Sequence, residues 1–197
     1  MSVRIYVEGG GDQALILRLC RSGFARFFAK CVGAGKQPKV IACGGRQQAF
    51  NDFCTALKQH TSDTVLLLVD AEGEVTDSKC WDHLKGRDNW VRPDTAKENS
   101  VFLMVQCMES WFLADKQVLV AYYGQGFLIN ALPKSNNVES VSKTDVAAKL
   151  EHACKPTKKG CYHKTQHSFD ILASLDPEKV ASGSAHAKEL IDFLREL

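Results

Sequence analysis

No apolar run in this sequence approaches the roughly 20 residues needed to cross a bilayer, and Met1-Ser2-Val3-Arg4 leads straight into an apolar strand pattern without a leader-peptide layout. The expectation is a cytoplasmic chain that is not exported and has no membrane partner. A disulfide framework is missing too. The eight cysteines stand singly at positions 20, 31, 43, 54, 80, 107, 154 and 161, mostly inside apolar-periodic segments, so reduced core thiols are expected. Gly9-Gly10-Gly11 lacks the Gly-Lys-Ser/Thr ending of a nucleotide-binding P-loop, and neither cysteine-nucleophile nor Ser-His-Asp chemistry has a local signature. Cys154, Cys161, His163 and His167 are zinc-ligand types, but the six-residue gap between the cysteines is wrong for a structural site, and zinc is not expected. There is no internal repeat and no low-complexity tract. At 197 residues and 45% apolar composition the chain is long enough for one sizeable core.

Carboxylates are absent from Gln13 to Asn51, a stretch with seven cations: Arg18, Arg21, Arg26, Lys30, Lys36, Lys39 and Arg46. The sign then reverses, with Asp70, Glu72, Glu74, Asp77 and Asp82 against Lys79 alone. It reverses again from Lys143 to Lys164, where six lysines meet only Asp145 and Glu151. The formal net charge of +2 hides this alternation. An acidic centre with basic flanks suits a protein that holds a polyanion beside a carboxylate-bound cation, since carboxylates alone repel phosphate. For any single one of these cations, a solvated helix face is the plainer reading.

The apolar pattern alternates between short runs and helical spacing. Residues 2–7, 39–43, 64–69 and 101–105 read as strands, the third a continuous apolar run as in a strand covered on both faces. Glu8-Gly9-Gly10-Gly11 follows the first strand, and Leu15, Ile16 and Leu19 then recur at helical spacing with Asp12 as a candidate N-cap. Gly44-Gly45 is a turn before a helix from Gln47 to His60. This alternation predicts an α/β fold with a mainly parallel sheet flanked by helices. Beyond residue 120 the pattern is helical and looser, with helices expected near 145–153, 167–174 and 184–196 and no strand. The division expected is a core over residues 1–120 and a helical C-terminal appendage over 121–197, packed on it as a single structural domain.

Glu8 and Asp70 each directly follow a predicted strand, and open parallel sheets bind ligands beyond the carboxyl ends of their strands. Both side chains are expected in one crevice. Glu72 follows by two residues and Glu74 extends the stretch, giving three or four hard oxygen ligands suited to Mg²⁺ or Mn²⁺. Acidic residues after strands are also common as caps and solvated turn residues, so for Asp70 alone function and structure are evenly matched. Glu109 sits in an apolar stretch beside Trp111 and Phe112, where an unpaired carboxylate is costly. Either it joins the metal site as an accessory or it pairs with a cation such as Arg46 or Lys164; the pair is favoured, with Trp111 as core filling. Arg46, at a strand-to-helix junction, is a candidate for phosphate. Lys158, Lys159, Tyr162 and Lys164 are candidates for neutralising and stacking on a nucleic-acid strand.

Val7-Glu8-Gly9 after the first strand and Asp70-Ala71-Glu72-Gly73 after a later one resemble the Toprim arrangement of an early Glu and a later Asp-x-Asp, with Glu72 in place of the second Asp. Gly44-Gly45-Arg46, the segment from Gln106 to Asp115 and Tyr162-His163-Lys164 narrow the resemblance to the small Toprim-like bacterial proteins grouped as domain of unknown function 4276. The resemblance covers most of the chain, and its one distinctive motif is the Glu109-Ser110-Trp111 segment. It implies a Toprim-like fold and a metal-dependent nuclease in which Glu8, Asp70 and Glu72 hold Mg²⁺, with Lys164 singled out as a catalytic partner. Glu8 is alternatively a general base. The resemblance further implies a place in anti-phage defence beside an ATPase partner, with DNA or RNA, including transfer RNA, as substrate. The competing readings are a non-catalytic module that binds an ATPase or nucleic acid, and a receiver-like α/β protein. The second is disfavoured because no adjacent acidic pair follows the first strand.

Overall fold

Val3-Arg4-Ile5-Tyr6-Val7 forms strand β1 (Val3–Val7), and its alternating side chains feed two different cores: Ile5 and Val7 one, Tyr6 the other. The same division holds in β3 (Thr64–Asp70), where Leu66 and Leu68 oppose Val65, Leu67 and Val69, and in β4 (Val101–Met104), where Phe102 and Met104 oppose Val101 and Leu103. A sheet buried on both faces has no use for polar alternation, which is why 64–69 reads as one apolar run. With β2 (Lys39–Ala42) these strands make a four-stranded parallel sheet in the order β2-β1-β3-β4. The computed structural model describes residues 2–9, 11, 13–77 and 79–197; the proposed cap Asp12 and Gly10 of the glycine run lie outside the described residues.

The helices cover both faces as predicted. α1 (Ala14–Val32) packs on one face through Phe24, Phe27 and Phe28, while α2 (Arg46–Gln59) and α3 (Cys80–Asp88) cover the other with Phe53, Trp81 and Leu84. The chain steps from β1 outward to β2, then back across β1 to β3 and on to β4. Right-handed crossovers require the helix face to change when the direction changes, and it does.

After β4 come α4 (Ser110–Ala114), α5 (Lys116–Tyr123), α6 (Lys143–Cys154), α7 (Lys164–Ser174), α8 (Pro177–Gly183) and α9 (Ala185–Glu196). No strand follows Met104 among the described residues. Phe169 and Ile171 of α7 and Leu190 and Leu194 of α9 enter the same hydrophobic cluster as Phe24 and Phe28. Gly23 sets the closeness of the α1–α7 contact: a β-carbon there would lie 2.8 Å from the Phe169 carbonyl oxygen. That contact matters because α7 starts at Lys164, above the carboxyl ends of the strands.

Candidate active site

In the order β2-β1-β3-β4 the chain leaves β1 in one direction and β3 in the other, so the crevice of a parallel sheet opens between their carboxyl ends. Glu8 extends β1, its N–H donating to the Leu68 carbonyl at 3.1 Å, and Asp70 closes β3. The two touch: the Asp70 N–H donates to Glu8 Oε2 at 3.3 Å. A cleft of about 220 Å³ lies over them, lined also by Gly9, Gly44, Met108 and, from α7, Lys164. Gly9, at φ 135°, is bridged to Gly44, and this glycine-to-glycine contact forms one wall of the cleft.

Asp70 is only 4% exposed. Its Oδ1 accepts from the Met108 N–H at 2.8 Å, and its Oδ2 lies 3.9 Å from Lys164 Nζ. Burial, reinforced by the nearby carboxylates of Glu109 and Glu8, pushes the Asp70 carboxyl up to about 7 against the pull of Lys164 and Lys143. Lys164 shows the complementary effect. Burial alone would lower its ammonium, but Glu109 and Asp70 outweigh that and raise it. Glu109 is 3.6 Å from Lys164 and accepts the Tyr162 hydroxyl at 2.9 Å, so the ion pair expected for it forms with Lys164 rather than Arg46. Trp111 is fully buried against Phe27.

The remaining acids diverge from the crevice. Glu72 adopts a left-handed backbone, φ 67°, with its N–H held by the Gln106 carbonyl at 2.7 Å. Its carboxylate pairs with Lys143 at 2.6 Å and approaches Arg87 at 4.0 Å. Burial would raise this carboxyl, but the hydrogen bond and charge of Lys143 bring it below its ordinary value. Glu74 is exposed. Among the described residues no three His, Cys, Asp or Glu side chains are grouped as a ready-made metal cage. Glu72 and Glu74, expected with Glu8 and Asp70 as oxygen ligands, would need an extended turn after β3 to share that face, and the left-handed backbone at Glu72 turns the chain away instead.

Arg46 is turned inward. Its Nε and Nη2 donate to Asp88 at 2.9 and 2.7 Å, and Nη1 to Glu8 at 2.9 Å and to the Asp70 carbonyl. With all three nitrogens engaged inside the protein it holds Glu8, and the guanidinium offered to phosphate in the sequence argument is spent. Tyr162 is likewise drawn in by Glu109 and packed edge-on to Phe112 and His167. Lys158 and Lys159 remain exposed, with Lys159 over the Tyr122 ring at 4.5 Å. Sequence reasoning missed the parts played by Lys143, Arg87 and Asp88, whose partners are set only by folding.

The family model described as Domain of unknown function (DUF4276) matches residues 7–195. This chain belongs to that family. The match spans every candidate discussed, from Glu8 to Lys164. No curated protein and no solved structure matches the chain. At its β1–β3 switch point the DUF4276 chain has two neighbouring carboxylates in a cleft, a third acid one lysine away, and a turn whose Met108 N–H fixes the buried one.

Proposed function

We propose that this DUF4276 chain is a Toprim-like, Mg²⁺-dependent nuclease that cleaves nucleic-acid phosphodiesters at the Glu8–Asp70 crevice. The observation that carries the reading is the convergence of Glu8 and the buried Asp70 beneath one cleft at the carboxyl ends of β1 and β3. A carboxyl raised to about 7 by burial and by neighbouring acids marks a place where negative charge is under-compensated, and a divalent cation is the compensation such a group suits. Hard oxygens from one or two carboxylates fit Mg²⁺, which keeps waters and phosphate oxygens as its other ligands. Glu8 and Asp70 would hold it. Among the described residues, both hydrogen bonds that Glu8 accepts fall on Oε2. Glu72 and Glu74 fit less well, since Glu72 is already paired with Lys143.

Held by Glu8 and Asp70, such a cation would supply charge compensation for the scissile phosphate and acidify a bound water. The protein's own groups do the rest. Met108 N–H fixes the orientation of Asp70. Lys164, half-exposed between Asp70 and Glu109, offers ammonium protons to a phosphate or leaving oxygen. Lys158 and Lys159 are exposed and offer positive charge to a flanking strand. The place of action proposed is the cytoplasm, as the effector of an anti-phage system with an ATPase partner and DNA, RNA or transfer RNA as substrate; the defence role, partner and substrate come from the sequence resemblance. One observation favours a second reading, a non-catalytic module binding an ATPase or nucleic acid. Arg46 already neutralises Glu8, and Lys143 neutralises Glu72. Incubating labelled DNA and RNA with the protein and Mg²⁺ or Mn²⁺, with Glu8→Gln as control, separates the two readings: metal-dependent cleavage lost in the variant supports the nuclease, and binding without cleavage supports the module.

A further inference from the structure

Asp88 belongs to none of the motifs above. It ends α3, its side chain is 11% exposed, and it grips Arg46 fork to fork, Oδ1 accepting Nε at 2.9 Å and Oδ2 accepting Nη2 at 2.7 Å. Arg87 donates to it as well. A guanidinium held in this way cannot offer the same edge to a second carboxylate. Only Nη1 is left, divided between Glu8 Oε2 and the Asp70 carbonyl. The indole of Trp90 lies 5.1 Å from the guanidinium, stacks on Phe50 at 4.3 Å and donates from Nε1 to Gln47. Arg46 is thus fixed from two directions before it meets Glu8. Glu8 receives a single guanidinium N–H on one oxygen, and among the described residues its Oε1 carries no hydrogen bond.

We propose that Asp88 is a positioning residue for a divalent cation at Glu8: by occupying the fork of Arg46 it prevents a bidentate Arg46–Glu8 pair and keeps Glu8 available as a ligand. This rests on the cation-site reading given above. Without the Asp88 charge, Arg46 is a mostly buried cation already in contact with Glu8, whose second oxygen has no hydrogen bond among the described residues, and the favourable response is to turn onto it. A ligand then becomes half of an ion pair.

The test is Mn²⁺ affinity, read from the paramagnetic resonance of free Mn²⁺, for the full-length protein and for Asp88→Asn, Arg46→Gln with Asp88→Asn, and Glu8→Gln, each with a melting curve. The single Asp88→Asn change should weaken Mn²⁺ binding roughly tenfold, as loss of a group supporting a metal ligand commonly does. The double variant removes two opposite charges and frees Glu8 altogether, so its affinity should return to the wild-type value or exceed it. A merely structural Asp88 gives the opposite order, with the double variant no better than the single. That order, or wild-type affinity in Asp88→Asn, overturns the proposal. If Asp88→Asn fails to melt cooperatively, the double variant decides alone: affinity at or above wild type supports the proposal and affinity below it refutes it. Loss of Mn²⁺ in Glu8→Gln with full retention in Asp88→Asn removes only the role of Asp88. Equal binding in Glu8→Gln and wild type, or none in wild type, removes the cation site and this inference together.

Discussion

Replacing Asp70 with Asn should stabilise the metal-free protein, and by an amount that grows with pH. Asp70 has a folded-state value of about 7 against 3.8 for the free side chain. A carboxyl raised on folding contributes its stability in full below the unfolded value, and that contribution is lost as pH rises toward the folded one, because the unfolded chain releases a proton that the folded chain keeps. At about 1.4 kcal/mol per unit, the loss is on the order of 4 kcal/mol at pH 8 and between 1 and 2 kcal/mol at pH 5, both upper bounds. Asparagine carries no charge and retains an oxygen for the Met108 N–H bond that Asp70 Oδ1 accepts. For a chain of this length a kcal/mol corresponds to roughly 2–4 °C. The variant should therefore melt above wild type in chelator at pH 8, by as much as roughly 8–16 °C, with the gap shrinking by more than half at pH 5. Saturating Mg²⁺ should raise the melting temperature of wild type at pH 8 and leave the variant unmoved, since a ligand stabilises only the state that binds it. A pH-independent gap, or a variant less stable than wild type at pH 8, would refute the electrostatic account of Asp70.

Gly23→Ala should lower stability by about 1–3 kcal/mol, because the added methyl meets the Phe169 backbone at 2.8 Å and pushes α7 and Lys164 off the crevice; denaturant titration measures it, and no change in midpoint contradicts the close-contact reading. Replacing Lys158, Lys159 and Lys164 together with Ala should flatten the salt dependence of nucleic-acid binding by up to about 0.7–0.9 per lost phosphate contact; an unchanged slope takes this face out of the binding surface. In native protein a thiol reagent should label Cys161 first, since it is exposed while Cys20, Cys31, Cys43 and Cys107 are buried with thiols pushed up to about 12. A fast phase that survives Cys161→Ser argues against that burial pattern.

The sheet was legible because its strands are short apolar runs, the first three ending at a glycine or an acid, and those boundaries place Glu8 and Asp70 at the carboxyl ends whatever the packing. Their convergence depends on the strand order, in which strands are added on one side of β1 and then on the other side, beginning with β3. The helix α8 was overlooked although Asp176 and Pro177 carry cap and first-turn signals; the single residue Ser184 between α8 and α9 lets one helical pattern run into the next. The site was less legible than the fold. Glu72 turns away because Gln106, 34 positions on, takes its N–H in a left-handed turn, a contact with no local signature. Arg46 turns inward because Asp88 and Trp90 wait for it at the end of α3, a helix with no continuous apolar stripe. Ionic partners chosen across the fold are decided by which ends of which elements meet, and spacing along the chain does not encode that.

The most direct test of the nuclease reading is a cleavage assay on end-labelled single- and double-stranded DNA and on transfer RNA, with Mg²⁺ or Mn²⁺, alone and with any ATPase encoded nearby. Wild type, Glu8→Gln, Asp70→Asn and Lys164→Met are compared, each shown by melting to be folded. The account predicts metal-dependent cleavage by wild type, its loss in Glu8→Gln and Asp70→Asn, a reduction of 10²-fold or more in Lys164→Met, and retention of nucleic-acid binding throughout. Cleavage at wild-type rates in both carboxylate variants would contradict it.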